Sequence, residues 1–216
     1  SNIVALRQPD DSKDQHEKEV AILLPLFHDF VINMVNHEDE WESLEALMEA
    51  RADIAIQRAC VGFGIDFEEA LRLIRNADGL NNEQAVQRNI ILAAVDNIAD
   101  FAVAEEYQMA DDMAELMEML DDEGEDEMDE EGWFDFYFPI FSKFHDRYMR
   151  TENVDIEYAM IIAAYLSTIK DNTVLMYMTQ GDERVRPWHL QYEGFTAPKS
   201  SFPAWLIPPI EHQCRC

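Results

Sequence analysis

Four side chains close to the end of the chain, His189, His212, Cys214 and Cys216, could hold a soft or borderline metal ion or supply a nucleophile and its base. Two imidazoles and two thiols are the number and kind of ligands that tetrahedral zinc takes. Their spacing suits zinc poorly. Structural zinc sites set paired cysteines about two to four residues apart, and a single residue separates Cys214 from Cys216. A thiol activated by a nearby imidazole is the second chemistry these types allow, but no oxyanion element is legible beside them. The third reading is structural. Asp182, Arg184 and Arg186 would then tie loops by ion pairs, His189 would bond to backbone, and the cysteines would be buried as small hydrophobes. In that case Arg184 or Arg186 is expected to pair with Asp182 or with a helix C-terminus.

The surrounding stretch, Gly181 to Cys216, differs from everything before it. It holds five of the eight prolines, including Pro187 and the Pro208-Pro209 pair, and it has no helical periodicity. Gly194 and short apolar bursts leave room for turns and one or two short strands. Its charges balance, with Asp182, Glu183, Glu193 and Glu211 against Arg184, Arg186, Lys199 and Arg215, while the whole chain carries −29. Such acidity repels nucleic acid and anionic membranes as general ligands and favours basic partners or divalent cations. Three cysteines in 216 residues make no secreted disulfide framework, so a reducing compartment is expected.

The elements that must position these residues read as helices. Residues 1–14 form a polar arm, and residues 15–120 form a helical body. Ser12 with Gln15 opens the first helix, in which Pro25 predicts a kink or break. A second helix, from near Asn36 to Gly62, carries Trp41, Leu44, Leu47 and Met48. Asp66 caps a short third helix, and Asn81 with Gln84 opens the longest pattern, expected to break or bend near Glu105. From Glu105 to Glu131 there are 15 acidic residues and no basic one, and residues 121–132 read as a solvated acidic loop. Residues 133–180 hold an aromatic segment, with seven aromatics from Trp133 to Phe144, and a long helix capped by Asn153 with Tyr177 on its inner face. The fold class is therefore mostly α: about five to six helices and a small, irregular C-terminal module with short strands.

Other chemistries lack their residues. Starting from Asp121, an EF-hand would need glycine at Asp126 and glutamate at Gly132. No histidine has a glutamate three residues before it, as di-iron bundles require. There is no Walker loop, H-E-x-x-H or G-x-S-x-G, and no run of 18 apolar residues.

As an ordered pattern the C-terminal stretch is more informative. Asp-Glu-Arg-Val-Arg-Pro-Trp-His at 182–189, then Gly194, Phe202-Pro203, Pro208-Pro209 and Cys214-Arg215-Cys216, resembles the C-terminal signature of the phage Mu F-like head morphogenesis (minor head protein) family. The structural motif is carried by Asp182, Arg184, Arg186, Pro187, His189, Gly194, Pro208, Pro209, Cys214 and Cys216. The Ile-Glu-His-Gln linker at 210–213 departs from the family pattern, and family members usually continue past the cysteines. The resemblance implies a helix delivering the chain into the motif and a minor capsid protein of a tailed phage or prophage. Such a protein acts near the portal in head assembly or genome delivery, in the virion and, during assembly, the host cytoplasm. It implies portal, capsid or scaffold partners, with DNA disfavoured by charge, no membrane and no catalysis. No cofactor is expected, zinc at His189, His212, Cys214 and Cys216 being the one candidate. Two alternatives stand beside it: a phage effector using the His/Cys cluster as a metal-dependent or Cys-His hydrolase, and an acidic protein that captures a basic partner or mimics nucleic acid.

Overall fold

A computed structural model describes residues 3–120 and 128–216, and its fold is mostly α. The chain forms α1 (Lys13–Asn36), α2 (Glu40–Phe63), α3 (Phe67–Arg75), α4 (Asn82–Met117) and α5 (Glu130–Phe141). A π-helical stretch, Ser142–Tyr148, runs directly into α6 (Met149–Thr168). After it come strand β1 (Val174–Met176), the single turn α7 (Pro187–Leu190) and strand β2 (Thr196–Pro198). β1 and β2 pair antiparallel with Leu175 opposite Ala197.

The caps act as the sequence predicts. Ser12 Oγ accepts from the Gln15 amide, Asp66 accepts from the Glu68 amide, and Asn81 and Gln84 exchange side-chain-to-amide bonds as a capping box. Neither expected break occurs. α1 runs unbroken through Pro25. α4 continues for 36 residues without a break at Glu105. It contains neither Gly nor Pro, and Ile91, Ile98, Ala102, Glu106, Met109 and Met113 form one buried stripe at helical spacing. The fourth member is a carboxylate, so its apolar pattern falters where the helix does not.

Asn153 does not cap a helix. It lies fully buried inside α6, which starts four residues earlier because the π-helical stretch hands the chain on without a stop. α6 ends at Thr168, so Tyr177 follows β1 rather than lying on a helix, and a strand, not a helix, leads into residues 181–216. The acidic loop lies outside the described residues over 121–127. Beyond it, Asp129 already caps α5 by accepting from the Gly132 amide, and Glu130 and Glu131 occupy the favourable first turn.

The chain divides into two compact units. The first comprises residues 1–11, 57–94 and 151–216, and the second residues 12–56 and 95–150. The second unit holds the aromatic core. Leu23, Phe27, Phe30 and Val31 of α1 meet Trp133, Tyr137 and Phe141 of α5, then Phe144 beyond it. Phe27 lies 4.7 Å from Phe141 between ring centroids. Each such side chain, fully buried, contributes about 1.5–3 kcal/mol. By length and composition α1 could cross a membrane; its Leu23, Phe27 and Val31 are instead fully buried in this core.

Within the same unit Arg51, Glu106 and His145 form an enclosed ionisable cluster, at 2%, 1% and 0% exposure. His145 Nε2 lies 2.6 Å from Glu106 Oε1, and Arg51 Nε lies 3.9 Å from that oxygen. Arg51 continues the α2 stripe of Leu44, Leu47 and Met48, which is the one sequence signal that points to its burial.

Candidate functional site

The side chains singled out near the C-terminus lie in the first unit, around a small core of Tyr177, Leu206, Cys214 and Cys216. Their positions follow from a few backbone constraints. Gly194 has φ +78°, a left-handed conformation that costs a β-carbon-bearing residue about 1–2 kcal/mol. It turns the chain so that its amide donates to Tyr177 O while the Tyr177 amide donates to Phe195 O. Pro187 occupies the first turn of α7, where a missing amide hydrogen costs nothing, and α7 carries His189 inward to 1% exposure. Pro208-Pro209 is a cis peptide.

Gln213 ties the end of the chain to α6. Its φ of +56° breaks the extended geometry between Cys214 and the residues before it. The Gln213 amide donates to both carboxylate oxygens of Asp155, at 3.2 and 3.1 Å. His189, Cys214 and Cys216 are all buried, and one ligand atom from each lies within 4.8 Å of the others. His212 is not with them: its imidazole is 74% exposed and stands 3.3 Å from Asp155. The four-residue set read from the sequence is thus three residues plus an outlier.

Around these sulfurs the polar contacts are specific. His189 Nδ1 is 3.0 Å from Cys216 Sγ, and the Tyr177 hydroxyl is 2.7 Å from the same atom. The Tyr158 hydroxyl donates to the Cys216 carbonyl. His189 is thus held by a thiol, not by backbone as expected. The two thiols share a hydrogen bond, which draws Cys214 down to about 6. The same bond, with burial, pushes Cys216 well above the ordinary thiol range. Burial holds Tyr158 and Tyr177 above the usual phenol range, so both remain neutral donors.

Arg184 stands by Asp182, as expected, but a closer partner holds that carboxylate. Asp182 is held by Arg215, whose Nε donates at 3.0 Å, and this bond lowers its carboxyl below the usual range. Arg184 donates its amide to Asp182, at 3.1 Å, while its guanidinium stays 4.0 Å away and 70% exposed. Arg186 reaches Glu211 at 3.0 Å and donates to the His212 carbonyl at 2.7 Å. Sequence reasoning missed Asp155, Tyr158, Glu211, Gln213 and Arg215 as members of this cluster. Only Asp155, a carboxylate on the apolar face of α6 beside Tyr158, leaves a trace in the periodicity.

Burial outweighs these hydrogen bonds at Asp155, whose carboxyl is raised above its ordinary value of 3.8. A carboxyl raised on folding stabilises the fold in its protonated form. That contribution is full below the unfolded value and fades as pH rises through the folded one. Melting temperatures of the parent protein and Asp155→Asn, taken from about pH 3 to 7, should therefore diverge in the variant's favour as pH rises. A flat or opposite difference would show that Asp155 is not held in this environment.

Comparison with protein-family models, with curated proteins and with solved structures finds no match.

Proposed function

We propose that this chain is a minor head protein of a tailed phage or prophage, carried in the virion near the portal and acting in head assembly or genome delivery. The observation that carries the reading is the ordered signature from Asp182 to Cys216, whose members bond one another across the fold. Asp182 meets Arg215, Arg186 meets the linker at Glu211 and His212, and His189 meets Cys216. A signature of this kind defines a fold: each element finds its partner in a different part of the stretch. The enclosure of Cys214 and His189, at 0% and 1% exposure, weighs against the hydrolase alternative, since a nucleophile must reach its substrate.

Charge supports a protein partner. The second unit carries an open groove whose apolar wall includes Met34, Trp41 and Tyr107 and whose rim carries Glu40, Asp111 and Glu118. Trp41 and Tyr107 are 61% and 54% exposed. This lining is complementary to an apolar segment flanked by Lys or Arg on a portal, capsid or scaffold protein, and it repels DNA.

Co-expression with the portal protein encoded in the same genome, followed by affinity purification and mass spectrometry of purified virions, tests the reading. The chain should co-purify with portal and appear in virions at low copy, and Trp41→Ala should weaken the association. Absence from both portal and virion would overturn it.

A further inference from the structure

We infer that His189, Cys214 and Cys216 form a zinc site, with Glu211 fixing the histidine from behind. This does not depend on the phage reading. Three donors from two separate stretches converge in a buried pocket, their ligand atoms within 4.8 Å of one another. Ligands at Zn–S of about 2.3 Å and Zn–N of about 2.0 Å in a tetrahedron stand roughly 3.5–3.8 Å apart, so only small side-chain adjustments separate the cluster from that geometry.

The histidine is already oriented for the task. Its Nδ1 faces Cys216 at 3.0 Å, while its buried Nε2 has no hydrogen-bond partner and lies 3.5 Å from the Glu211 carboxylate. With the proton on Nε2, the Nδ1 lone pair faces the sulfurs and Nε2–H faces a carboxylate. That is the carboxylate–histidine–metal arrangement by which outer groups fix a ligand's tautomer. Arg186, 3.0 Å from Glu211, holds the carboxylate in turn. The hydroxyl of Tyr177, 2.7 Å from Cys216 Sγ, borders the fourth position. Two thiols would bind as thiolates and release their protons to solvent, and the dication would balance the two negative charges in a pocket that otherwise encloses them.

The linker supplies the Glu211 carboxylate, 3.5 Å from His189 Nε2. Residues two apart in an extended chain face the same side, and Cys214 and Cys216 bring their sulfurs within 4.8 Å of each other.

The full chain, purified under reducing conditions without chelator, is loaded with zinc or with cobalt(II), desalted, and analysed by mass spectrometry for metal and by absorption for a thiolate-to-cobalt charge-transfer band. Stoichiometric zinc and the band are expected. Both should persist in Cys60→Ser and His212→Ala and vanish in Cys214→Ser and Cys216→Ser. Glu211→Gln should retain stoichiometric zinc but hold it about tenfold more weakly in chelator competition. Circular dichroism identifies variants that fail to fold, in which case the parent protein's cobalt band decides alone. A folded, reduced parent protein that retains no zinc above the buffer blank and shows no band overturns the site. Equal loss from His212→Ala would overturn the assignment of ligands.

Discussion

Glu106→Ala should cost the second unit about 3–5 kcal/mol, because it removes a buried carboxylate that faces both Arg51 and His145. The carboxylate sits at 1% exposure between Arg51 and His145, and His145 Nε2 donates to it at 2.6 Å. Alanine removes, from an apolar core that includes Leu47, Met109 and Phe141, the carboxylate that faces Arg51 Nε at 3.9 Å. Glu106→Gln keeps an acceptor for His145 while removing the charge, so its loss should be smaller. Adding Arg51→Met to Glu106→Ala should recover part of the stability, because replacing a buried ion pair by apolar groups is often neutral or better. Urea unfolding at neutral pH reads all three. If Glu106→Ala shifts stability by less than about 0.5 kcal/mol, as an exposed surface substitution does, the triad is not enclosed as described.

Gly62→Ala should lower stability by about 3 kcal/mol, at the upper end of overpacking penalties. The direction is the informative part. Helix propensity alone makes Gly to Ala in a helix favourable by about 1 kcal/mol. Gly62 lies in α2 against the backbone of α6, and a β-carbon there would collide with the Glu157 carbonyl, standing 2.9 Å from its carbon and 3.0 Å from Cα. Backbone cannot swing aside as a side-chain tip can. The same helices are held by Arg58, whose Nη1 donates to Glu157 at 2.8 Å, so separating them would also strain a half-buried ion pair. Gly64→Ala is the control: it meets nothing within 4 Å, and only its φ of +75° costs about 1–2 kcal/mol. Thermal melts that rank Gly62→Ala as the milder change would refute the close approach.

How much of this could be read from residues alone depended on the range of the interaction. Helix starts are local, and Ser12, Asp66 and the Asn81–Gln84 box each cap the helix their residue types announce. The aromatic run from Trp133 to Phe144 must be buried, and Trp133, Tyr137, Phe141 and Phe144 are. What failed were inferences from an apolar pattern that a buried charge interrupts, as Glu106 does in α4. Pro25 failed differently, because the α1 helix continues through a residue whose local preference is to break it. In the candidate site, residue types were legible but their meeting was not. Gln213 is held by Asp155, which lies 58 positions earlier, and Cys216 is met by His189 from 27 positions away.

The division of the chain between its units sets a timetable for synthesis. The second unit draws on residues 12–56 and 95–150, so all its parts exist once Arg150 has left the ribosome. The first unit, although it includes the earliest residues, needs 151–216 as well. At ~5–20 residues per second, translation of that remainder takes several seconds. Throughout that interval Ala59, Cys60, Ala70 and Leu73, buried in the finished protein, wait for their partners. A nascent chain stalled between Arg150 and Gly181 would therefore present a finished unit beside an unfinished one, the kind of intermediate that recruits chaperones and proteases.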